Sequence, residues 1–180
     1  GDSTITAADR TILGHGFPKY LAGLTNTLTY KSFRLSFFFN GVFDADVLNI
    51  NREIGYRTNR LESALERWTP ETPEGTRPFR NHSGQYWVND ELVEDASFIR
   101  LKNIALSYDL PVNKMGLKFV QNLRLYASAS NLYTWTNYSG FDPEVSSRVN
   151  ATTNLNIGSG VDLYSYPIQK SYTVGVKVKF

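Results

Sequence analysis

The C-terminal end of the chain alternates strictly between apolar and polar side chains. Counted back from Phe180 in steps of two, one face carries three valines and Tyr172, while the other face is small or charged. A period of two is the pattern of a β-strand, because successive side chains of a strand point to opposite faces. At a tilt of about 40°, roughly ten such residues span about 25 Å, the height of the apolar band of an outer-membrane β-barrel. The segment at about 166–180 is therefore predicted to be a membrane-spanning strand.

Four earlier segments have the same strand-like alternation. The predicted strands lie at about 21–30, 33–41, 97–110 and 122–135, with 166–180 as the last. Two connections between them are short, and the other two, at about 42–96 and 136–165, are long and rich in Pro, Gly, Asn and Asp. Short turns on one side and long extracellular loops on the other are typical of outer-membrane barrels. The predicted fold class is all-β, an antiparallel transmembrane β-barrel segment with long extracellular loops.

The strand at about 97–110 changes phase along its length. Ile99 and Leu101 are odd-numbered, whereas Ile104 and Leu106 are even-numbered. Either a β-bulge near Lys102 shifts the register, or the first part of the strand stands above the bilayer; of the two, we expect the second. Within the first long loop, helical spacing at 59–67 predicts a short helix.

Composition argues against most enzyme classes. The chain has no Cys, only two His that are far apart in sequence, and a net charge of +2. Disulfides and thiolate chemistry are therefore impossible, and neither a metal site, a cofactor nor a nucleic-acid partner is expected. The loop carboxylates show no acid/base spacing, and no phosphate-binding glycine loop or nucleophile elbow is present. We expect no enzymatic activity.

Several ordered motifs resemble one transporter family. Residues 94–104 read EDASFIRLKNI, 67–71 read RWTPE, 130–134 read SNLYT and 138–145 read YSGFDPEV, and the opening segments FPKY at 17–20 and GLTN at 23–26 also fit. Together they span nearly the whole chain and resemble the signatures of SusC-like TonB-dependent transporters, the RagA/SusC group. The resemblance implies an importer of oligosaccharides or peptides in the Gram-negative outer membrane.

The resemblance also implies a longer parent protein and a set of partners. Residues 1–180 would be the C-terminal part of a barrel of roughly 22 strands, of which this chain supplies about the last five. The implied partners are a SusD-like surface lipoprotein acting as a lid, the remaining N-terminal barrel and plug, and the TonB complex through the missing N-terminal part. Outer-membrane lipid and the barrel assembly machinery are the remaining implied partners. Without plug and TonB box, the segment is not expected to import by itself.

The last strand matches the C-terminal assembly signal of outer-membrane barrels. The residues that carry the match are Thr173, Gly175, Val178 and Phe180. An exposed edge strand of this kind can pair transiently with an insertion machine. The alternative is an ordinary closing strand without any signalling role.

Candidate contacts to substrate or lid come from the loops and from aromatic residues. The aromatic candidates are Trp68, Tyr86, Trp87 and Trp135, which either stack on sugar rings and peptide side chains or serve as loop-core and interface anchors. Asp142 and Glu144 offer oxygen atoms to a cation or to a substrate, but Asp-Pro is equally a turn former. Arg34, Arg124 and Lys177 fall on the predicted lumen face, either solvated or paired with plug carboxylates.

Two other functions remain open. A small surface barrel that only binds, such as an adhesin, would close with an even strand number near eight, whereas five strands are predicted. A soluble β-sandwich enzyme is the more distant alternative. The choice between glycan and peptide as substrate is also open.

Overall fold

The chain separates into two units. The computed structural model describes residues 10–52, 62–76, 89–116, 119–145 and 160–180. The unit that we call the sheet unit comprises residues 19–44, 96–137 and 166–180, and the loop unit comprises residues 1–18, 45–95 and 138–165.

Eight strands are described, numbered in chain order. They are β1 (Tyr20–Tyr30), β2 (Phe33–Phe43), β3 (Asp46–Asn49), β4 (Val93–Asp95), β5 (Phe98–Leu110), β6 (Asn122–Thr136), β7 (Val161–Asp162) and β8 (Ser171–Lys179). Short 3-10 helices span Glu62–Glu66, Asp90–Leu92 and Val112–Met115. No helix within these described stretches is long and apolar enough to cross a membrane.

The sheet unit is one antiparallel sheet in the order β1-β2-β5-β6-β8. Each of its strands overlaps one of the five segments with strand-like alternation, and the last begins at Ser171 instead of about 166. The two-residue turn at Lys31 and Ser32 joins β1 to β2, with Lys31 in the left-handed region at a φ of 52°. The all-β, antiparallel fold class predicted from the alternation is confirmed.

One face of this sheet is a continuous apolar surface. Across the strands, Phe33 pairs with Tyr108, whose ring centroid lies 4.5 Å away, and Leu125 pairs with Val176. The apolar side chains of this face are solvent-exposed in the chain: Leu24, Leu28, Tyr30, Phe33, Ile99, Leu106, Leu125, Tyr133, Trp135, Tyr172, Val174, Val176 and Val178. An exposed apolar surface of this extent marks a contact with another apolar phase. Lipid is the surrounding that a barrel strand of this pattern requires.

A bulge keeps the apolar face continuous along β5. Phe37 pairs with Ile104 and Phe39 pairs with Leu101, so that Lys102 is the extra residue. The extra residue brings Ile99 and Leu101 onto the same face as Ile104, because a strand otherwise alternates its side chains. The phase change therefore comes from a bulge, which corrects our expectation that it marks residues above the bilayer.

The loop unit contains a small sheet in the order β4-β3-β7. Strand β3 runs antiparallel to β4 and parallel to β7, and its Val47 and Asn49 are buried. The helix predicted at 59–67 falls partly outside the described residues, and the described part holds the 3-10 helix Glu62–Glu66. This small sheet brings the two long connections of the chain together.

Candidate functional site

The carboxylate of Glu94 connects several segments of the loop unit through hydrogen bonds. Its Oε1 accepts hydrogen bonds from Asn49 Nδ2 at 3.0 Å, Arg52 Nη1 at 3.1 Å and Ser139 Oγ at 2.8 Å. Its Oε2 accepts the backbone N–H of Ser139 at 2.9 Å. A carboxylate has lone pairs enough for all four donors. Glu94 thereby ties β4 to the end of β3 and to the segment 138–145.

The same hydrogen bonds tune the acidity of Glu94. Partial burial by itself raises the pKa of the carboxyl group, because burial disfavours the charged form. The donors from Ser139, Asn49 and Arg52 outweigh that effect, and the pKa of Glu94 lies below its ordinary value of 4.5. Glu94 is therefore ionised at neutral pH, and the loop contacts depend on its charge.

A second contact joins the segment 138–145 to strand β7. The hydroxyl of Tyr138 donates to Asp162 Oδ2 at 2.6 Å, and the N–H of Ser165 donates to Asp162 Oδ1 at 3.0 Å. Asp162 is 1% exposed. Burial and the neighbouring carboxylate raise the pKa of Tyr138, so that the phenol keeps its proton and remains a donor. The chain then turns at Tyr164, whose φ is 55° and whose N–H donates to Asn51 Oδ1 at 2.9 Å.

Asp142 and Glu144 have different surroundings. Asp142 is 8% exposed, and its Oδ1 accepts the backbone N–H of Glu144 at 2.9 Å. This contact is the Asx turn that an Asp-Pro sequence favours. The side chain of Glu144 is exposed, as is the neighbouring ring of Phe141. The geometry fits the turn-forming role for Asp142 and leaves Glu144 accessible.

The four aromatic candidates do not share one setting. Trp68 belongs to the loop unit and is 42% exposed. Trp135 belongs to the apolar face of the sheet, where its ring centroid lies 4.6 Å from that of Tyr133 and 6.2 Å from that of Phe39. Tyr86 and Trp87 lie outside the described residues. The position of Trp135 fits the role of an interface anchor.

The residues of the predicted assembly signal lie on or beside β8. Thr173 and Gly175 are on the polar face and Val178 is on the apolar face, while Phe180 follows the end of the strand and is 79% exposed. A Cβ added at Gly175 would overlap the hydroxyl and ring of Tyr126, its partner on β6. Within the described part of the chain, β8 pairs on one edge only, with β6.

An open cleft in the loop unit was not anticipated from the sequence. It has a volume of about 290 Å³ and is lined by residues 11–16 together with Asp46, Leu48, Val93 and Gly160. Asp46 holds this segment in place, because its Oδ2 accepts the N–H of His15 at 2.9 Å and lies 3.2 Å from His15 Nδ1. In the part of the chain that the structure describes, no group of three or more His, Cys, Asp or Glu side chains is placed to hold a metal.

Sequence reasoning also missed the two acidic residues that organise the loop unit. Glu94 and Asp162 fall in the two segments predicted to be long loops, where an acidic side chain is usually solvated, whereas the structure places them in β4 and β7. The available signal was position: Glu94 opens the motif at 94–104, and Tyr138 opens the motif at 138–145. The structure joins these two motifs through Ser139.

The chain is similar along its whole length to curated TonB-dependent receptors. It is 34% identical to TonB-dependent receptor P3 of Formosa agariphila and spans 18% of that protein. It is also 34% identical to receptor P26 of the same organism, spanning 19% of it. Identity to the TonB-dependent receptor SusC of Bacteroides thetaiotaomicron is 26%, over 17% of that protein. The chain thus spans less than a fifth of the length of these relatives, and no protein-family model matches it.

Solved structures agree with these relatives. The RagAB peptide transporter superimposes with a TM-score of 0.80 at 28% identity, covering 99% of this chain and 19% of that chain. The RagAB peptide importer in its 'closed-closed' state superimposes with a TM-score of 0.77 at 26% identity, over 99% of this chain and 19% of that chain.

Proposed function

We propose that this chain, which is a segment of a SusC-like TonB-dependent transporter of the Gram-negative outer membrane, supplies part of the wall and of the outer loops of a nutrient importer. The observation that carries the proposal is the antiparallel sheet with one continuous apolar face and one polar face. Such a sheet separates lipid from an aqueous interior. The relatives are receptors and transporters, which favours transport and not catalysis as the role of the whole protein.

The cargo that we propose is an oligosaccharide or a peptide, captured together with a SusD-like surface lipoprotein. The loop unit supports this, because Glu94 and Asp162 hold its segments in one arrangement through hydrogen bonds from Ser139 and Tyr138. A surface held rigid loses less conformational entropy when a partner binds. TonB would drive passage of the cargo through parts of the protein outside residues 1–180.

Among the proposed contacts to substrate or lid, exposed loop residues fit best. Trp68 and Glu144 are accessible in the loop unit. Asp142 would act through the turn that presents Glu144, and Trp135 would anchor the sheet at the membrane interface. Tyr86 and Trp87 stay candidates from their sequence alone.

The experiment is an uptake assay on the full-length protein in its outer membrane. Fluorescent oligosaccharides and fluorescent peptides of matched size are supplied to cells with the lipoprotein gene intact or deleted, and with TonB active or inactivated. We expect accumulation of one cargo class that requires both TonB and the lipoprotein. Surface binding that persists without TonB-dependent accumulation would instead support the binding-only barrel, and accumulation without the lipoprotein would contradict the lid.

We also propose that Thr173, Gly175, Val178 and Phe180 form the assembly signal of the barrel. The exposed position of Phe180 beyond β8 supports recognition by an insertion machine. Deleting Phe180 from the full-length protein should lower its amount in the outer membrane several-fold, measured by surface labelling. Replacement of Tyr166, an exposed aromatic residue outside β8, by Ala is the control. Normal surface levels of the Phe180 deletion would contradict this role.

A further inference from the structure

The cleft of the loop unit is built along one edge of strand β3. The N–H of Asp46 donates to the carbonyl of His15 at 2.9 Å, and the N–H of Leu48 donates to the carbonyl of Gly160 at 2.8 Å. The segment at residues 11–16 and the residue that precedes β7 therefore lie end to end along β3. Both line the cleft, and all of its lining residues belong to the loop unit.

Two glycines allow these segments to approach each other closely. A Cβ added at Gly14 would lie 2.6 Å from Asp46 Oδ2, and one added at Gly160 would lie 2.5 Å from the Cα of Gly16. Gly160 also has a φ of 78°, in the left-handed region that glycine adopts without strain. Any larger residue at either position would push residues 11–16 away from β3. The cleft is therefore formed by close packing of the chain itself, before any ligand binds.

Most of the wall of the cleft is aliphatic. Four of its side chains are Ile12, Leu13, Leu48 and Val93, and none of the lining residues is aromatic. Two of the four, at positions 12 and 13, are exposed in the chain. A sugar ring carries hydroxyl groups all round its edge, and these would lose water against such a wall without gaining a hydrogen-bond partner. The wall is therefore complementary to an aliphatic group.

One carboxylate oxygen of the cleft remains available to a ligand. Asp46 Oδ2 accepts the N–H of His15 and lies 3.2 Å from His15 Nδ1. Among the described residues, Asp46 Oδ1 takes part in no hydrogen bond or ion pair, and the side chain is 30% exposed. A carboxylate binds an ammonium group more strongly than a neutral donor, because the hydrogen bond is charge-assisted. An anionic acceptor beside an aliphatic wall is complementary to an amine that carries an aliphatic substituent.

We propose that the cleft binds the N-terminal residue of a peptide, with its aliphatic side chain against the aliphatic wall and its free amine on Asp46 Oδ1. The cleft has a volume of about 290 Å³. An apolar cavity of about 150 Å³ already holds a molecule of the size of benzene, so one side chain with its amine fits and the rest of the peptide extends through the open side. The inference rests on the proposed function, of whose two cargo classes it selects the peptide.

Binding of short peptides to the full-length protein in detergent tests the proposal. Three tetrapeptides with a fluorescent label at the C-terminus are compared: Leu-Gly-Gly-Gly, the same peptide with an acetylated amine, and Gly-Gly-Gly-Gly. We expect the first to bind about fivefold more tightly than either of the others, because each of them lacks one of the two groups that the cleft holds. Equal affinities would overturn the proposal. Displacement of the leucyl peptide by an equal concentration of a glucose tetrasaccharide would overturn it as well.

Removal of the exposed part of the wall should abolish the preference for leucine. Ile12 and Leu13 are exposed, so that the variant I12S/L13S removes apolar surface without opening a core. Leu65→Ser is the matched control, because Leu65 is an exposed leucine of the loop unit that does not line the cleft. We expect the double variant to bind the leucyl and glycyl peptides equally and the control to keep the preference. A preference retained in the double variant would contradict the assignment of the cleft.

The variant Asp46→Asn tests the contact to the amine separately. Asparagine keeps the shape of the side chain and an oxygen for the N–H of His15, but it has no charge. The variant should bind the leucyl peptide with a free amine about threefold more weakly and bind the acetylated peptide unchanged. An equal loss for both peptides would show that Asp46 acts only by holding residues 11–16, and it would overturn the amine contact.

A photoreactive leucine analogue at the first position of the peptide locates the site. After irradiation, peptide mass spectrometry identifies the residues that the analogue has labelled. We expect labels at residues 11–16, at Leu48 or at Val93. Labels confined to other parts of the protein would overturn the proposal.

The uptake assay separates this proposal from the proposed function. Binding of the leucyl peptide in the cleft without TonB-dependent accumulation rejects the importer and keeps the cleft. TonB-dependent accumulation of oligosaccharides alone, without binding of the leucyl peptide, rejects the cleft and keeps the importer.

Discussion

Gly175 has a packing role that its place in the proposed assembly signal does not reveal. The ring of Tyr126 on β6 lies over the position where any other residue would carry its Cβ. Aromatic side chains are known to cover glycines across strand pairs. The glycine therefore lets two strands of the polar face pack closely, and this requirement is separate from recognition by an assembly machine.

Replacing Gly175 by Ala should destabilise the folded barrel by about 1–3 kcal/mol, because the added methyl group overpacks against Tyr126. The measurement is the temperature at which the protein changes from the folded to the unfolded band on a denaturing gel, which reports the loss of stability. Thr173→Ala, on the same face of the same strand, is the matched control. In the background of Tyr126→Ala the penalty should shrink, since the ring that collides is gone; an undiminished penalty would contradict the packing role.

Glu94 should make the loop unit sensitive to acid. Its pKa in the folded protein lies below the ordinary 4.5, with burial outweighed by the hydrogen bonds from Ser139, Asn49 and Arg52. A lowered pKa means that the stabilisation is complete above pH 4.5 and is lost as the pH falls through the folded value. Hydrogen-exchange protection of the Ser139 amide, corrected for the intrinsic rate, should therefore drop in acid. Glu94→Gln should show weaker protection that no longer depends on pH, and a parallel drop in that variant would exclude Glu94 as the cause.

At the scale of elements, the bulge at Lys102 decides which face of β5 meets lipid. With the extra residue, Ile99 and Leu101 lie on the apolar face and Arg100 lies on the polar face. Arg100 is there 1% exposed and donates from Nε to Thr134 Oγ1 at 2.9 Å. Without the extra residue, the part of β5 before the bulge would be inverted.

Deleting Lys102 should therefore prevent normal insertion of the full-length protein. The deletion would turn Arg100 toward the lipid-facing side near the outer end of β5, where an arginine costs about 0–1 kcal/mol, and would bury Ile99 and Leu101 on the polar face. The amount of heat-modifiable protein in the outer membrane is the measurement. Lys102→Ala keeps the residue count and should insert normally; equal loss in both variants would show that the side chain matters and not the register.

At the scale of the molecule, the sheet has two outer strands that pair on one edge only in the described chain, β1 and β8. Unpaired strand edges are intolerable in lipid and prone to aggregate in water. We expect residues 1–180, expressed alone, to require detergent or denaturant for extraction and to lack a heat-modifiable band. The full-length protein in detergent should show that band. Fully soluble, folded material in buffer alone would contradict a role as a barrel wall.

Much of the sheet unit was predictable because the side chains of each strand alternate with the environments of its two faces. The alternation at Tyr172, Val174 and Val176 identifies a lipid-facing strand without knowledge of its neighbours. The bulge was visible only as a conflict of phase between Leu101 and Ile104. Choosing between its two explanations needed the pairing partners Phe37 and Phe39.

The loop unit was far less predictable, because its contacts join residues distant in sequence. Glu94 and Ser139 lie 45 positions apart, and Tyr138 and Asp162 lie 24 apart. Loop residues have no periodic environment, so that neither burial nor partner can be deduced from the local pattern. The aromatic and acidic candidates were therefore named by residue type. In the structure, Asp142 forms a turn and Trp135 lies on the apolar face of β6.

The alternating strand near Phe180 illustrates which features the sequence determines and which depend on the tertiary structure. The sequence by itself determined that this segment is a strand with one apolar and one polar face, and its motifs determined the family that it resembles. Both depend only on the order of residues that are neighbours in the chain. Only the tertiary structure decided that the ring of Tyr126 packs over Gly175. It also decided that Lys177 lies opposite Arg124 and not opposite a carboxylate. Those facts depend on strand register, which is set by the pairing of whole strands and not by any residue alone.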